Sequence, residues 1–172
     1  YLGLELANPL VPSASTLSAR IDNLKRLQDA GASAIVMQSL FEEQIEHEEM
    51  AAHNLMLYGA ELSPEARGFF PEMQPHDSGA ARYLKLIGDA RKALSVPVIA
   101  SLNGYTPGGW TRIAKQFEEA GAHAIELNVY FLAASLDDSS ESVEARYIDL
   151  VKSVAGQVKI PVAVKVAPFF SA

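Results

Sequence analysis

Short apolar runs alternate with amphipathic stretches along most of this 172-residue sequence. Apolar residues are continuous or spaced by two in the runs, as in buried strands, and recur every three or four residues in the stretches, as in helices. The pattern predicts a possible short strand at 1–6, strands at 10–14, 34–38, 97–102, 124–129 and 161–166, and helices at 18–30, 79–94, 108–120 and 141–156. This alternation is typical of an α/β fold with a parallel sheet and right-handed crossovers.

An internal repeat supports this order. Residues 29–35 read DAGASAI and residues 119–125 read EAGAHAI, so in each copy a helix ends at glycine (Gly31 or Gly121) and an apolar strand follows at once. Glycine suits the left-handed position after a helix. A second pair, SVPVIAS at 95–101 and KIPVAVKV at 159–166, interleaves with the first.

Repeated units with short strands rich in Ala and Val favour a (β/α)8 TIM barrel. No GxGxxG or GxxxxGK[ST] motif follows a strand, which is against a Rossmann or P-loop protein. The sequence contains about five β/α units, so we interpret residues 1–172 as the N-terminal portion of one barrel domain. The last three strands are then expected outside this sequence.

The longest connection, residues 40–78, follows the second predicted strand. Its first part, FEEQIEHEEMAAHNLMLY, has acidic residues on one side and apolar residues on another, which indicates a helix. Active sites of barrels lie at the C-terminal ends of the strands. We therefore expect this connection to cover the site.

Composition narrows the possible partners. The net charge is −7 and there is no basic block, which is against nucleic acid or an anionic membrane as partner. The absence of cysteine excludes disulfides and thiolate metal sites, and HEEMAAH, with His47 and His53, does not match the HExxH zinc spacing. No apolar run approaches the ~20 residues of a membrane span. The expected partner is a small-molecule substrate, the expected location is cytoplasmic, and a homo-oligomer is left open.

Alternation along the last two strands sorts their side chains into two faces. Valines 162, 164 and 166 share one face, and Lys165 lies on the other, toward the barrel interior. On the preceding strand, Glu126 and Asn128 point inward in the same way. Glu126 and Lys165 are therefore expected to pair, either as a purely structural ion pair or with Lys165 serving an electron-rich ligand.

Polar residues also follow the other strands. A mouth lined by Ser, Asn and Gln with one Lys suits hydrogen bonding to a flat heterocycle better than hydrolysis. Each such residue alone is more often a strand-end cap than a ligand contact, but several strands end in the same way. The residues are Ser13, Ala14, Ser15, Gln38, Ser39, Ser101 and Asn103.

Five consecutive strand motifs resemble those of the FMN-dependent dihydroorotate dehydrogenase family, in order and spacing over nearly the whole chain. They are NPLVPSAS at 8–15, IVMQS at 35–39, IASLNG at 99–104, IELNV at 125–129 and VAVKVAP at 162–168. The resemblance is to a divergent, dihydroorotate-dehydrogenase-like branch. It implies a (β/α)8 barrel and a flavoprotein oxidoreductase of pyrimidine biosynthesis, in which hydride passes between flavin N5 and a small cyclic substrate such as dihydroorotate.

The resemblance also implies roles for individual residues. Asn128 would touch flavin or substrate, and Lys165 would lie near the pyrimidine edge of the isoalloxazine, where its charge stabilises the reduced flavin. Gln38 stands where the family has a Lys that contacts flavin and the substrate carboxylate. The FMN phosphate site would lie on loops of the seventh and eighth strands, beyond this sequence. The remaining implied flavin contacts are Ser13, Ala14, Ser15, Ser39 and Ser101.

The sequence departs from the family after ELN, where a Cys or Ser base is usual. Phe131 stands at the base position and Ala133 where an Asn would hold substrate. Phenylalanine cannot accept a proton, and the adjacent Tyr130 has a phenol whose unperturbed pKa is near 10, so it is a poor base. The following DDSSES is expected to cap the helix at 141 rather than to supply a base.

Three functions follow from these observations. The first is an FMN-dependent oxidoreductase acting on a CH–CH group. The second is a barrel that keeps ligand binding but has altered or lost catalysis, because of Phe131 and Gln38. The third is a barrel without flavin, such as an aldolase, in which Lys165 would form a Schiff base.

Overall fold

Four parallel strands form one sheet in the order β1-β2-β3-β4, so each strand lies beside the next strand in the chain. The computed structural model describes residues 1–48, 50–51, 54, 79–104, 106–131 and 135–168. The strands are β1 (Ile35–Phe41), β2 (Val98–Asn103), β3 (Ala124–Val129) and β4 (Val162–Val166). The helices are a 3-10 turn (Thr16–Ala19), α1 (Ile21–Asp29), α2 (42–48), α3 (Gly79–Ala93), α4 (Pro107–Glu119) and α5 (Ser140–Ala155).

Local sequence signals explain where the helices begin and end. Thr106 accepts a hydrogen bond from the N–H of Gly109 and Pro107 occupies the first turn of α4, where its missing N–H costs nothing. Ser139 caps α5 in a reciprocal arrangement with Ser142, so the predicted cap in DDSSES is confirmed. Gly31 and Gly121 follow α1 and α4 with φ of +100° and +97°, as the repeat predicts.

The first predicted strand, 10–14, is wrong: this segment runs beside β1 without becoming a regular strand. Its carbonyl groups accept two backbone hydrogen bonds, from Ser33 N–H to Leu10 C=O and from Val36 N–H to Pro12 C=O. Pro9 and Pro12 have no N–H to donate, and the N–H of Leu10 bonds the side chain of Asn8 instead. A continuous ladder therefore cannot form. Residues 1–6 are not a strand either.

The two faces of the sheet have different surroundings. Toward the helices lies the larger apolar core, which contains Ile125, Leu127 and Val129 of β3 together with Trp110 and Phe117 of α4. The opposite, inner face carries a smaller apolar cluster at its base, formed by Ala34, Val36, Ile99 and Ala124. Leu2, Leu4, Leu6, Val11 and Ala14 from the N-terminal segment pack against that cluster. The predicted outward face of β3 is thus confirmed. On β4, Val162 and Val164 pack against the same core, whereas Val166 is 40% exposed.

Only the beginning of the long connection is described. Residues 42–48 are helical, in agreement with the predicted helix, while residues 55–78 lie outside the described residues. Glu48 of α2 accepts a hydrogen bond from the N–H of Gly79, the first residue of α3. None of the helices in the described part of the chain combines the length and apolar composition needed to cross a membrane.

Candidate functional site

Three polar side chains meet on the inner face, toward the C-terminal ends of β1, β2 and β3. The hydroxyl oxygens of Ser39 and Ser101 are 2.8 Å apart. Nδ2 of Asn128 donates to both hydroxyls, at 3.0 Å to Ser39 and 2.9 Å to Ser101. Ser101 and Asn128 are buried, with 0% and 4% of their surface exposed. We call Ser39, Ser101 and Asn128 the polar cluster.

The polar cluster leaves one hydrogen-bonding atom without a partner. Among the residues that the structure describes, none donates a hydrogen bond to the buried Oδ1 of Asn128. A buried amide oxygen without a donor costs about 1–3 kcal/mol. Such an atom in a polar site is a natural contact for a ligand that supplies the missing group.

A charged pair lies beside the polar cluster. Nζ of Lys165 is 2.9 Å from Oε1 of Glu126, as the alternation of the two strands predicts. Lys165 lies opposite Asn128 in the register of β3 and β4, so the two residues are neighbours on the same face of the sheet. The Glu126 side chain is 13% exposed and that of Lys165 is 42% exposed. The ammonium group is therefore both neutralised by Glu126 and accessible from the inner face.

The loop before α1 brings one predicted site residue near this pair. Ser13 is exposed and lines a cavity of about 410 Å³ together with Val36 and Glu126. Ala14 packs against the apolar cluster at the base of the inner face. Ser15 is exposed, and its N–H and C=O both bond Ser18 around the 3-10 turn.

Gln38 and Ser39 line the same cavity, but an irregularity in β1 affects how the two side chains are oriented. The register runs from Val36 opposite Ile99 directly to Ser39 opposite Ser101, so Met37 and Gln38 together face only Ala100. This β-bulge reverses the alternation and turns Ser39 inward. Gln38 lines a cavity of about 350 Å³ beside α3, with Arg82 and Tyr83 among its neighbours.

The residue at the family's base position faces the helices. The Phe131 ring makes an edge contact with Tyr147, with centroids 4.9 Å apart, and the guanidinium of Arg146 lies 5.4 Å from its centroid. Its backbone N–H donates to the Tyr147 hydroxyl. Phe131 therefore packs between β3 and α5, away from the polar cluster. Tyr130 is 55% exposed.

Sequence reasoning missed a buried carboxylate at the end of β1. Glu42 is 1% exposed and accepts hydrogen bonds from the backbone N–H of Thr106, at 3.0 Å, and from the Thr106 hydroxyl. It thus joins the end of β1 to the N-terminus of α4, where a negative charge is favourable. A β-carbon at Gly109 would lie 1.7 Å from its Oε1, which explains the glycine there. The paired glycines after Thr106 and Pro107 are the signal that could have revealed this close approach.

Tyr83 of α3 was also missed. Its hydroxyl accepts a hydrogen bond from Ser101 N–H at 3.1 Å and donates one to Ser101 C=O at 3.3 Å. Burial raises the pKa of this phenol far above its ordinary value, so it stays protonated. In the sequence Tyr83 resembles any core aromatic on an amphipathic helix, and no local pattern separates it from one.

Several curated proteins are similar to this chain in sequence. The chain is 30% identical over 167 residues to the catalytic subunit of dihydroorotate dehydrogenase B (NAD(+)) from Methanocella arvoryzae, covering 96% of the chain and 52% of the relative. It is 33% identical over 107 residues to a putative dihydroorotate dehydrogenase A (fumarate) from Aeropyrum pernix, and this alignment covers 60% of the chain and 34% of the relative. The chain is thus similar in sequence to dihydroorotate dehydrogenases, at 27% to 33% identity. No family model matches it.

This dihydroorotate-dehydrogenase-like chain spans 34% to 52% of the length of the curated relatives it matches. Another relative is the catalytic subunit of dihydroorotate dehydrogenase B (NAD(+)) from Thermoplasma volcanium, which is 27% identical to the chain over 171 residues. This alignment covers 96% of the chain and 52% of the relative.

Solved structures identify the fold. A dihydrodipicolinate synthase from Bacillus anthracis superimposes with a TM-score of 0.55 at 15% identity, covering 93% of this chain and 46% of that one. A prophage protein of the dihydrodipicolinic acid synthase family from E. coli K12 superimposes with a TM-score of 0.55 at 17% identity. This superposition covers 93% of this chain and 45% of that one. These neighbours are TIM-barrel enzymes, so the predicted fold class is confirmed and the sheet is part of such a barrel. At these identities the likeness extends to the fold alone.

Proposed function

We propose that this chain belongs to an FMN-dependent oxidoreductase, in which it binds the flavin ring and a small cyclic substrate related to dihydroorotate. The observation that carries the proposal is the polar cluster with its unpartnered Asn128 oxygen, next to the Lys165 ammonium. The sequence similarity to dihydroorotate dehydrogenases gives the reaction class.

The available groups fit a flavin ring chemically. The isoalloxazine edge carries an N–H donor between two carbonyl acceptors. Oδ1 of Asn128 is an acceptor without a donor, and Lys165 and the serine hydroxyls are donors on the same face. Ser39, Ser101, Asn128 and Lys165 are therefore the residues that would hold the ring, with Ser13 at the mouth. When bound, FMN would supply two-electron hydride chemistry.

The chain's own residues would prepare that chemistry in three ways. The polar cluster orients a planar ligand through fixed hydrogen bonds, because its hydroxyls are already held by one another and by the amide. The apolar cluster below it gives the base of the inner face an apolar surface. Lys165, held in place by its ion pair with Glu126, would supply an N–H donor to the ring, and this hydrogen bond would strengthen as the ring gains electron density on reduction.

Proton transfer is the step that this chain supports least. Phe131 packs against α5, so the family's base position neither carries a base nor faces the polar cluster. A positioned base contributes about 10²–10⁴-fold to such a reaction. This observation favours the second candidate function, a flavin-binding barrel with altered or lost dehydrogenase activity.

The test is purification of the protein as its gene encodes it, followed by visible absorption spectroscopy and titration with FMN. Bound flavin supports the proposal, and a colourless protein that takes up no FMN refutes it. Lys165→Met should weaken FMN binding about tenfold, as expected for one charge-assisted hydrogen bond. Lys152→Met, the same change on the exposed face of α5, should leave binding unchanged.

Turnover separates the candidate functions. Dihydroorotate oxidation by the flavin-loaded protein indicates a working dehydrogenase, and flavin binding without turnover of dihydroorotate or related rings indicates the altered barrel. Borohydride trapping of a carbonyl substrate on Lys165 would instead favour the Schiff-base alternative.

A further inference from the structure

The Tyr83 hydroxyl bonds the backbone of Ser101 in β2, directly after the register between β1 and β2 shifts by one residue. The bulge places Met37 and Gln38 opposite Ala100, immediately before the Ser39–Ser101 pair. Pro97 C=O accepts from Ile35 on β1, while Val98 C=O accepts from His123 at the β3 edge. Because alternate residues of a parallel strand bond opposite neighbours, the N–H and C=O of Ser101 point toward β1. The Tyr83 hydroxyl bonds both groups.

The same residue, Ser101, carries one corner of the polar cluster. Its backbone bonds Tyr83 and its Oγ bonds Ser39 and Asn128. The Tyr83 ring is in turn fixed by burial and by Phe117, whose centroid lies 5.2 Å away. A rigid connection therefore runs from α3, through the Ser101 backbone, to the inner face.

The bulge also decides which β1 side chain reaches that face. Regular alternation from the inward Val36 would turn Gln38 inward and Ser39 toward the helices. With the extra residue, Ser39 lies 2.8 Å from the Ser101 hydroxyl instead. A group that bonds the strand at this point stabilises the shifted register against the regular one.

We propose that Tyr83 is a positioning residue for the ligand site: its hydroxyl maintains the bulged register of β1 against β2 and thereby holds Ser39 and Ser101 in place for the Asn128 amide. Only a group that donates and accepts at one atom can bond both the N–H and the C=O of Ser101, and phenylalanine can do neither. The effect of Tyr83 on ligand binding rests on the proposed flavin function; its effect on the strand register does not.

The decisive variant is Tyr83→Phe, which removes the hydroxyl and keeps the ring that packs on Phe117. The matched control is Tyr147→Phe. Tyr147 is equally buried, and its hydroxyl also accepts from a backbone N–H, that of Phe131, but outside the polar cluster. Both variants are made in the protein as its gene encodes it. Any general loss of stability should then be similar in the two.

The first measurement is amide hydrogen exchange in ligand-free protein. Tyr83→Phe should accelerate exchange at the Ser101 amide about tenfold, the equilibrium effect of one buried hydrogen bond. Tyr147→Phe should accelerate exchange at the Phe131 amide and leave Ser101 as in the wild type. Unchanged exchange at Ser101 in Tyr83→Phe, or equal acceleration there in both variants, would overturn the proposal.

The second measurement is FMN affinity, together with the visible spectrum of the bound flavin. Tyr83→Phe should weaken binding about tenfold and shift the flavin band, because the polar cluster is displaced. Tyr147→Phe should change neither. Wild-type affinity and spectrum in Tyr83→Phe would refute the positioning role. A wild type that binds no FMN would refute the proposed function alone, and the exchange comparison would still decide the role of Tyr83.

Discussion

Glu42→Ala should destabilise the protein by disconnecting β1 from α4. The carboxylate is 1% exposed and accepts from both the N–H and the hydroxyl of Thr106. A hydrogen bond to a charged group contributes about 1.5–3 kcal/mol, and Thr106 is partly buried, so we expect a loss of about 3 kcal/mol. Glu42→Gln keeps one acceptor oxygen and should lose about 1–2 kcal/mol by the same reasoning.

Equilibrium urea unfolding measures this effect. With a slope of ~2 kcal/mol per M, a loss of about 3 kcal/mol lowers the urea midpoint by about 1.5 M. Glu43→Ala is the matched control, since Glu43 is the neighbouring residue and is exposed. The free energy of unfolding of Glu43→Ala should stay within ~0.5 kcal/mol of that of the wild type.

A double mutant makes the reasoning sharper. A β-carbon at Gly109 would overlap Oε1 of Glu42 at 1.7 Å, so Gly109→Ala alone should be strongly destabilising. In the Glu42→Ala background the overlap is gone, and alanine is favoured over glycine in a helix by about 0.5–1 kcal/mol. Gly109→Ala should then be neutral or stabilising. Additive losses, or equal midpoints for Glu42→Ala and Glu43→Ala, would show that the carboxylate does not make this connection.

Two further predictions concern β3. Phe131→Ser places a hydroxyl at the family's base position, but it should give no dihydroorotate turnover and cost about 1–3 kcal/mol, because the residue packs against α5; a gain in turnover would contradict this orientation. Burial, with Arg91 nearby, lowers the pKa of His123. The stability contributed by neutral His123 should therefore be complete above its unfolded pKa of ~6.5 and be lost as pH falls through the lower folded value. If the urea midpoint of His123→Gln depended on pH as strongly as that of the wild type, the pH dependence would not come from His123.

Several features of the fold were predictable because they depend on neighbours in the sequence. The inward Glu126, Asn128 and Lys165 follow from period-two alternation, and their ion pair follows from the adjacency of two parallel strands. The glycines after α1 and α4 and the serine cap of α5 are likewise local requirements of backbone conformation. The proline content of 10–14 was visible too, although its effect on the strand was underestimated.

The tertiary structure alone decided which residues form the polar cluster. The sequence places Gln38 and Ser39 together at a strand end, but the bulge brings Ser39 to Ser101 and Asn128. A bulge depends on the partner strand and, as proposed above, on Tyr83 from a distant helix. The partner of Glu42 lies 64 residues away. Alternation and capping act over a few residues and are encoded locally, whereas register and burial arise from contacts that exist only once the chain has folded.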